Sequence, residues 1–510
     1  MRVQKNRKPR PRQHKSRRSA RARRARRVAQ MGVFAGREEP VITNPRSRVE
    51  VERQSDITAI GGLALAHELV QQTELADLID EEVWLLKQHA PYWESDHILA
   101  QAYNLYSGGT CLDDLESLQN SNTIKRYLGA ESLPDPTTAG DFLRRFDRGD
   151  LMALQRAIDS ARVKVWSSLP AEQKRFATID LDSTIKELYG RCQEGADFAY
   201  NGKWSYHPLL ASLAEFNEPL RTVNRPGSTP SAEGAAEVLD ECLNLTTPHF
   251  GQVRARGDSK FYRQDTIEIC ECHQAKFAFV VETSAKRVAL AESIPEGEWR
   301  PFVSKPPQHL KSGKRRRGRR RTRRAKAAER GYRTLSTIKE WVAERPYSPS
   351  WTDQSYRLVI KRKLLEEDDG QGHLFEMYVY QFVITNISHR QMSPVRVIRF
   401  AYGRCDQENM IEQMKNGIAG MKMPTGQLLA NDAFLMIAQL AWCLRSWLSL
   451  TVLPKDTLRW EWKRFRHAFV YVAAKVVKVG RVIGVRFDRA HRWLEQILRA
   501  AEQLRALSFR

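Results

Sequence analysis

The chain has 510 residues, of which 42% are hydrophobic, and a formal net charge of +23 at pH 7. This length predicts two to four domains with ample material for a buried core, and the apolar share is ordinary for a globular protein. Seven cysteines scattered over this length exclude a disulfide framework and indicate a reducing compartment, so we expect a cytoplasmic protein.

The positive charge is concentrated in two short segments. The first thirty residues contain fourteen Lys or Arg and no acid, whereas residues 311–330 contain twelve Lys or Arg and one acid, Glu329. These segments contribute +14 and +11, so the rest of the chain carries −2. Such runs are too charged to be buried, and we expect a disordered arm over 1–45 and a basic loop over 311–330. Because Arg dominates both runs and guanidinium groups match phosphate, a polyanion partner is favoured over a solubilising role.

Residues 55–165 are predicted to be helical. The segment Asp135-Pro-Thr-Thr indicates the start of one helix, with Thr138 as its N-cap. Apolar residues recur at helical spacing in three further segments, 57–69, 96–105 and 112–118.

From about residue 175 the pattern changes to strands mixed with helices, which predicts an α/β fold. A helix is expected over 232–245, and the pattern from residue 411 to the end is mostly helical. The longest apolar stretch, 434–453, is interrupted by Gln439 and Arg445, which favours a buried core helix over a membrane span, so no membrane partner is expected. The strand-like runs are 176–185, 206–215, 252–256, 277–282, 356–361 and 378–385.

The first acidic motif is Thr178-Ile-Asp-Leu-Asp-Ser-Thr184. On a strand, Thr178, Asp180 and Asp182 share one face. Two carboxylates on one face repel each other unless a cation neutralises them, and Mg²⁺ prefers oxygen ligands. The alternative is that Asp182 caps a turn before Ser183.

The second acidic motif is Asp258 in the segment Val253-Arg-Ala-Arg-Gly-Asp-Ser. A short strand that ends at Gly257 delivers this carboxylate to its carboxyl edge, where ligand sites gather in α/β sheets. Gly-Asp-Ser is also common turn chemistry, so a turn residue is the alternative.

The third motif places Arg404, Glu408, Glu412 and Lys415 at helical spacings on one face. In an isolated helix this pattern would be a solvated face with pairs one turn apart. Glu412 lies three residues before Lys415 and is expected to pair with it, which leaves Glu408 freer to bind a metal.

The order Asp182, Asp258 and Arg404-x₃-Glu408-x₆-Lys415 resembles the insertion-sequence DDE transposases with a Tyr-Arg-Glu-Lys signature. The segment 256–261 is similar to the sequence around the second aspartate of that group. The segment 200–209 resembles one found after the first aspartate in the insertion-sequence family numbered 1380. The resemblance spans roughly residues 55–450. The chain departs from the pattern at Tyr402, which precedes Arg404 by two residues rather than three, and at Lys260, where glycine is common.

This resemblance implies an RNase H-like catalytic core with a mainly β insertion. The core would comprise 175–264 and, together with C-terminal helices, 396–510. The insertion would cover 265–395 and contain the basic loop. A helical region that binds DNA ends would cover 55–165, after the disordered arm.

The resemblance also implies an enzyme that cleaves transposon ends and joins them to target DNA. Asp182 would bridge two Mg²⁺ ions, for which Mn²⁺ can substitute, while Asp258 and Glu408 hold one each, and Asp180 is a further candidate ligand. DNA would be contacted by Arg404, Lys415 and Tyr402. The partners would be double-stranded DNA and a second copy of the chain on paired ends, in a nucleoid-associated protein. The alternative is a non-catalytic DNA-binding protein derived from a transposase.

Overall fold

The structure is a computed structural model that describes residues 56–89, 91–190, 192–303, 334–368, 374–480, 482–507 and 509. The predicted basic arm and the predicted basic loop lie outside these residues. The described residues fall within one unit, Asp56–Arg510.

Helices dominate both ends of the described chain, and strands lie between them. The helices are α1 (Leu63–Gln72), α2 (Leu75–Glu82), α3 (Glu94–Ser107), α4 (Glu116–Gln119), α5 (Asn122–Leu128), α6 (Pro136–Leu143), α7 (Arg148–Ser167), α8 (Ala235–Thr246), α9 (Gln264–Cys272), α10 (Ala285–Glu292), α11 (Pro394–Ala401), α12 (Cys405–Glu412), α13 (Leu428–Thr451), α14 (Trp462–Phe469) and α15 (Leu494–Ala506). The strands are β1 (Ile57–Thr58), β2 (Ala177–Ser183), β3 (Lys186–Glu187), β4 (Asp197–Phe198), β5 (Trp204–Tyr206), β6 (Leu209–Leu213), β7 (Glu218–Val223), β8 (Val253–Gly257), β9 (Lys276–Val281), β10 (Arg300–Pro301), β11 (Thr334–Tyr347), β12 (Tyr356–Asp368), β13 (Leu374–Thr385), β14 (Ala474–Val479) and β15 (Val482–Phe487).

The helical prediction for the first part of the described chain is confirmed, with two local corrections. Residues 57 and 58 form β1, and α1 begins only after Gly62, where an added Cβ would lie 1.7 Å from the Phe469 carbonyl oxygen. The N-cap of α6 is Asp135, not Thr138. Its carboxylate accepts the Thr138 N–H at 2.9 Å and the Thr138 hydroxyl at 2.7 Å. Pro136 therefore takes the first helical position, where its fixed φ suits a helix start.

A mixed sheet of nine strands forms the centre of the described fold, in the order β10-β11-β12-β13-β9-β8-β2-β6-β7. Within this sheet β2, β6 and β7 pair antiparallel, while β2, β8 and β9 pair parallel. Parallel neighbours require a crossover, and α9 supplies one between β8 and β9. This arrangement confirms the α/β expectation.

The predicted β segment extends the same sheet. Its first strand, β9, continues the parallel part next to β8, and β13 then pairs antiparallel with β9. Two long antiparallel pairings join β11, β12 and β13. The sheet thus runs without a break from the strand that carries Asp182 to the long hairpins.

The long apolar helix α13 is part of the core, as predicted. It is long and apolar enough to cross a membrane, but 94% of its most apolar window is buried inside the protein. Its polar Gln439 accepts a hydrogen bond from Thr222 at 3.0 Å and donates one to Gln155 at 3.0 Å. The expectation of a mostly helical C-terminal part is wrong over 474–487, where β14 and β15 form a hairpin that pairs with β1.

Candidate active site

Asp182 lies near the carboxyl end of β2, the strand that links the antiparallel and the parallel parts of the sheet. The first five residues of β2 are buried, which fixes the strand in the core. Asp182 itself is half-buried, and its Oδ1 accepts the backbone N–H of Ser183 at 2.8 Å. The carboxylate therefore stands where the strand leaves the core.

Asp258 follows β8 and lies beside Asp182 at the same edge of the sheet. Leu181 and Gly257 are partners in the parallel register, so the next residue of each strand is one of the two aspartates. An added Cβ on Gly257 would lie 2.9 Å from the Phe261 Cβ, which explains why glycine precedes the turn. Asp258 begins that turn and accepts the Lys260 N–H at 2.8 Å.

The side chain of Lys260 pairs with Glu282, with Nζ and Oε1 2.8 Å apart. Lys260, which stands where glycine is common, is thus paired with the residue that follows β9. The turn that presents Asp258 is defined by backbone hydrogen bonding, and it accommodates this substitution.

Helix α12 carries Glu408 and is fastened to the end of β2. Arg404 donates to the Leu181 carbonyl at 3.1 Å, and Gln407 donates to the Asp180 carbonyl at 2.7 Å. The two acceptors are the carbonyls of consecutive residues just before Asp182, so the start of the helix is aligned with the end of the strand. Sequence reasoning missed Gln407, because an amide inside the signature has no charge to mark it.

Lys415 binds the residues that follow β2. Its Nζ donates to the Thr184 hydroxyl at 2.5 Å and to the Ile185 carbonyl at 3.0 Å. The expected pair between Glu412 and Lys415 is therefore not formed as predicted, and Glu412 accepts a hydrogen bond from Asn416 at 2.7 Å. The π-helical turn Gln413–Gly417 that follows α12 directs the lysine to the strand end.

Asp258 and Glu408, the other two predicted carboxylates, both act on the pKa of Asp182. Burial is the largest cause that raises the pKa of Asp182 to about 6, and the charges of Asp258 and Glu408 act in the same direction. Arg404 and the Ser183 N–H oppose this rise. The structure thus brings Asp258, Glu408 and Arg404 each within electrostatic reach of Asp182.

Asp180 has a different environment from Asp182. It is fully buried, and Arg256 donates to both of its oxygens, with Nη2 2.8 Å from Oδ2 and Nε bonded to Oδ1. Arg256 also donates to the Phe400 carbonyl at 2.8 Å, at the end of α11. This pairing corrects the expectation that Asp180 is a further metal ligand, because both of its oxygens already serve as acceptors for a guanidinium group.

Tyr402 ends α11 and is 39% exposed. Burial of its hydroxyl raises the pKa of Tyr402 to about 12, while the charge of Arg404 lowers it. The turn to α12 passes through Gly403, where an added Cβ would lie 2.8 Å from the Arg399 carbonyl oxygen. Tyr402 is therefore near Arg404, on the short connection that leads to Glu408.

His207 lies next to the first motif and was not predicted as a site residue. Its Nδ1 is 2.8 Å from the Thr229 carbonyl oxygen, and its Nε2 is 3.1 Å from the Ser183 hydroxyl. Since a carbonyl only accepts, Nδ1 carries the proton and Nε2 accepts from Ser183. Burial lowers the pKa of His207, which keeps the ring neutral. In the sequence, His207 was marked only by its position in the segment 200–209, which resembles a segment of the insertion-sequence family numbered 1380.

The donor set at this edge suits a hard divalent cation, because carboxylate oxygens are the ligands that Mg²⁺ prefers. No group of three or more His, Cys, Asp or Glu side chains in the described part of the chain is close enough together to hold a metal ion. The charges of Asp258 and Glu408 therefore reach Asp182, but the three side chains do not converge closely enough to coordinate one ion.

We expect Asp182→Asn to stabilise the metal-free protein at high pH. The pKa of Asp182 is raised from 3.8 to about 6 on folding, so the folded state holds its proton more tightly than the unfolded state. The free energy of unfolding therefore falls as the pH rises from about 4 to about 6, by at most about 3 kcal/mol. The asparagine variant should not show this decrease in the free energy of unfolding, because its side-chain amide does not titrate. Urea unfolding in EDTA at pH 4 and pH 8 measures it, and an equal effect of the substitution at both pH values would contradict the assignment.

Comparison with known proteins gives the family. The family model described as Transposase DDE domain group 1 matches residues 43–509. A cryo-EM structure of the piggyBac transposase synaptic complex with hairpin DNA matches 80% of this chain and 82% of that chain, at 10% identity and a TM-score of 0.33, which is too distant to carry an argument. No curated protein matches. Because the family model covers nearly all of the 510 residues, the chain belongs to the DDE transposases described as Transposase DDE domain group 1.

Proposed function

We propose that this protein cleaves transposon ends and joins them to target DNA by metal-dependent phosphodiester hydrolysis and transesterification. The observation that carries the proposal is that Asp182 and Asp258 follow paired residues of β2 and β8 and that Glu408 lies within electrostatic reach of Asp182, in a chain of the DDE transposase family. A homodimer on paired ends is the form in which we propose that it acts.

The three carboxylates would hold the metal, with Asp182 between Asp258 and Glu408. Mg²⁺ held by these carboxylates would supply activation of the attacking oxygen and stabilisation of the leaving 3′-oxygen. The raised pKa of Asp182 is consistent with this role, because a carboxylate that is costly to ionise gains most from a nearby cation. The freed 3′-hydroxyl is then placed at the same edge for attack on target DNA.

Arg404 and Lys415 would bind phosphate beside these carboxylates. Each already donates to backbone or hydroxyl groups of 181–185, which fixes its position. A guanidinium group has five N–H donors and an ammonium group has three, so both retain donors for phosphate oxygens. Tyr402 would add a contact from the same connection.

The core is proposed to be RNase H-like. This proposal is supported by the strand order β7-β6-β2-β8-β9, in which three neighbouring antiparallel strands are followed by two strands that pair parallel. It is also supported by the position of Glu408 on a helix that follows the long hairpins.

A non-catalytic DNA-binding protein is the second candidate, because the described carboxylates do not form a ready-made metal group. Labelled DNA from the ends of the element, incubated with the protein in Mg²⁺ or in EDTA, separates the two. Strand cleavage in Mg²⁺ alone supports the transposase. Binding in both conditions without any cleavage over a range of Mg²⁺ and Mn²⁺ concentrations supports the second candidate.

Deletion of residues 2–27 should weaken DNA binding and reduce its salt dependence. This segment lies outside the described residues, and the expectation rests on its charge. Each phosphate contact that is lost removes about 0.9 from the slope of log affinity against log salt concentration. Fluorescence anisotropy over a salt series measures the slope, and a slope equal to that of the full chain would show that the arm does not contact DNA.

A further inference from the structure

The hairpin of β14 and β15 is strongly basic, although the proposed function gives it no role. Residues 474–487 contain four Lys or Arg and no acid, and we call this segment the basic hairpin. One of the four, Arg481 in the turn, lies outside the described residues. Apart from residues 1–30 and 311–330, the chain carries a net charge of −2. The basic hairpin is therefore a local concentration of positive charge in a part of the chain that has no net excess of it.

One face of the basic hairpin packs on the core, and the other face is turned away from it. Ala474 and Val476 are buried, so the residues that alternate with them on β14 and their partners on β15 point outward. This outer face contains three cross-strand pairs, which are Lys475 with Arg486, Val477 with Gly484, and Val479 with Val482. The two cations are exposed, and the last two valines are 63% and 68% exposed. The outer face thus has a pair of cations at its base and an exposed apolar pair at its tip.

Lys475 and Arg486 lie directly opposite each other, and like charges in this position destabilise a pair of strands. Among the described residues, no side chain forms a hydrogen bond or an ion pair with either of them. The acids that flank the small sheet bond elsewhere. Asp56, before β1, pairs with an arginine of α5, and Asp488, after β15, accepts a backbone N–H at 2.9 Å. An anion bound to the outer face would therefore relieve a repulsion that no bonded acid of the described chain relieves.

The base of the basic hairpin is fixed to the same body as the candidate active site. The Val476 N–H donates to the Asp56 carbonyl at 2.7 Å, which ties β14 to the residue before β1. Four residues separate β14 from α14, and α14 is bonded in turn to the π-helical turn that follows the helix of Glu408. In that contact, Arg466 Nη1 donates to the Gly417 carbonyl at 2.8 Å. DNA bound at the candidate active site and DNA bound by the hairpin would therefore have a defined relative position.

We propose that the basic hairpin lies in the major groove of the transposon-end DNA, with its outer face toward the duplex. This inference rests on the proposed function. Lys475 and Arg486 would contact phosphates, while Val479 and Val482 at the tip would contact base edges. Two strands about 5 Å apart form a ribbon that the major groove, about 12 Å wide, can admit. A second protein is disfavoured as the occupant, because a stable interface needs about 800 Å² per partner and this face is only about 20 Å long and 10 Å wide.

The first test measures binding of transposon-end duplex by fluorescence anisotropy in EDTA, over a series of KCl concentrations. Lys475→Ala and Arg486→Ala should each reduce the slope of log affinity against log salt concentration by about 0.9, and the double variant by about twice that. Lys475→Arg keeps the charge and should keep the slope. The matched control is Lys478→Ala, because Lys478 is an exposed cation of the same hairpin that lies on the face of the buried Val476. Its loss should leave the slope close to that of the wild type.

The variant Lys475→Glu separates a role in DNA binding from a role in folding. Its carboxylate would lie opposite Arg486 and replace a repulsive pair by an attractive one, so the urea midpoint of unfolding should equal or exceed that of the wild type. The same variant should reduce the slope by about twice 0.9, because Arg486 then pairs within the hairpin. A destabilised Lys475→Glu protein with the wild-type slope would contradict the proposal.

A second arm identifies the groove. Glucosylated 5-hydroxymethylcytosine places a bulky group in the major groove, whereas netropsin occupies the minor groove. Glucosylation should weaken binding by the wild type more than binding by the variant Val479→Ser, Val482→Ser, which lacks the apolar tip. Netropsin should act equally on the two proteins.

The inference is overturned if the Lys475→Ala, Arg486→Ala double variant keeps the wild-type slope, if Lys478→Ala reduces the slope equally, or if netropsin rather than glucosylation separates the wild type from the tip variant. Because binding is measured without metal, these results are independent of cleavage. Cleavage of transposon ends by a wild type whose slope the double variant shares refutes the role of the hairpin alone. A reduced slope in a protein that never cleaves supports the hairpin and refutes the proposed catalysis.

Discussion

Alanine at Asp182, Asp258 or Glu408 should abolish strand cleavage, while the affinity for transposon-end DNA stays within a few-fold of the wild type. Asp258 and Glu408 both lie within electrostatic reach of Asp182. They are proposed to hold metal rather than to contact bases, so their loss removes catalysis and leaves the binding surface in place. Cleavage of labelled ends and anisotropy in EDTA measure the two properties. A near wild-type cleavage rate in any one variant would remove that residue from the site.

The sharpest form of this prediction compares two glutamates one helical turn apart. Glu408 acts on the pKa of Asp182, whereas Glu412 accepts a hydrogen bond from Asn416 and is not among the charges that act on Asp182. We expect Glu408→Gln to lose cleavage by at least about a hundredfold, because a neutral amide is a poor ligand for Mg²⁺. Glu412→Gln is the matched control and should lose far less.

Both glutamine variants are assayed in the same Mg²⁺ titration. If Glu412→Gln is the inactive variant, the third carboxylate has been assigned one helical turn too early. The phosphate-binding roles proposed for Arg404 and Lys415 would then be refuted as well. Equal and complete inactivation of both would show that the whole helix face is needed, which the single-ligand assignment does not allow.

Arg256→Met should lower the free energy of unfolding by about 3–5 kcal/mol, because it leaves the fully buried Asp180 without its cation. The same substitution removes the hydrogen bond to the Phe400 carbonyl, which holds the end of α11. The connection through Tyr402 to α12 loses an anchor, so cleavage should fall as well. Urea unfolding followed by tryptophan fluorescence gives the change in stability.

The double variant Asp180→Leu, Arg256→Met is the control for this effect. Replacement of a buried ion pair by apolar side chains is often neutral or stabilising, so the double variant should be more stable than Arg256→Met alone. A double variant as unstable as the single one would show that shape, rather than an unpaired charge, dominates at this place. An Arg256→Met protein of unchanged stability would contradict a structural role for the pair.

The strands that present the two aspartates could be predicted from sequence because each has a strong local pattern. Alternating apolar residues indicate β2, and Gly257 marks the end of β8 beside Asp258. That these two strands are parallel neighbours depends on long-range pairing, which no local pattern contains. The position of Glu408 followed from spacing to Arg404 and Lys415, and therefore from a resemblance rather than from physics.

The errors have definable causes. Asp180 and Asp182 share a strand face, and only the partner on β8, Arg256, decides that Asp180 is structural. Residues 474–487 form a hairpin because β1, more than 400 residues away, supplies a third strand. His207 and Gln407 act through hydrogen bonds to the first motif, and such partners leave no periodic signal in the sequence.

The π-helical turn Gln413–Gly417 lies between Glu408 and the end of the segment that carries Lys415, so the relative orientation of these two side chains differs from that in a regular α-helix. A π turn is the shape that an α-helix takes when it accommodates one inserted residue, and such insertions are frequent at functional sites. Loss of one residue here would let the regular helical ladder close, and would rotate everything that follows by about 100°. The ammonium group would then point away from Thr184, in a helix more regular than the present one. Deletion of a single residue in this turn is therefore expected to break the contacts of Lys415 with Thr184 and Ile185 while it leaves a regular helix behind.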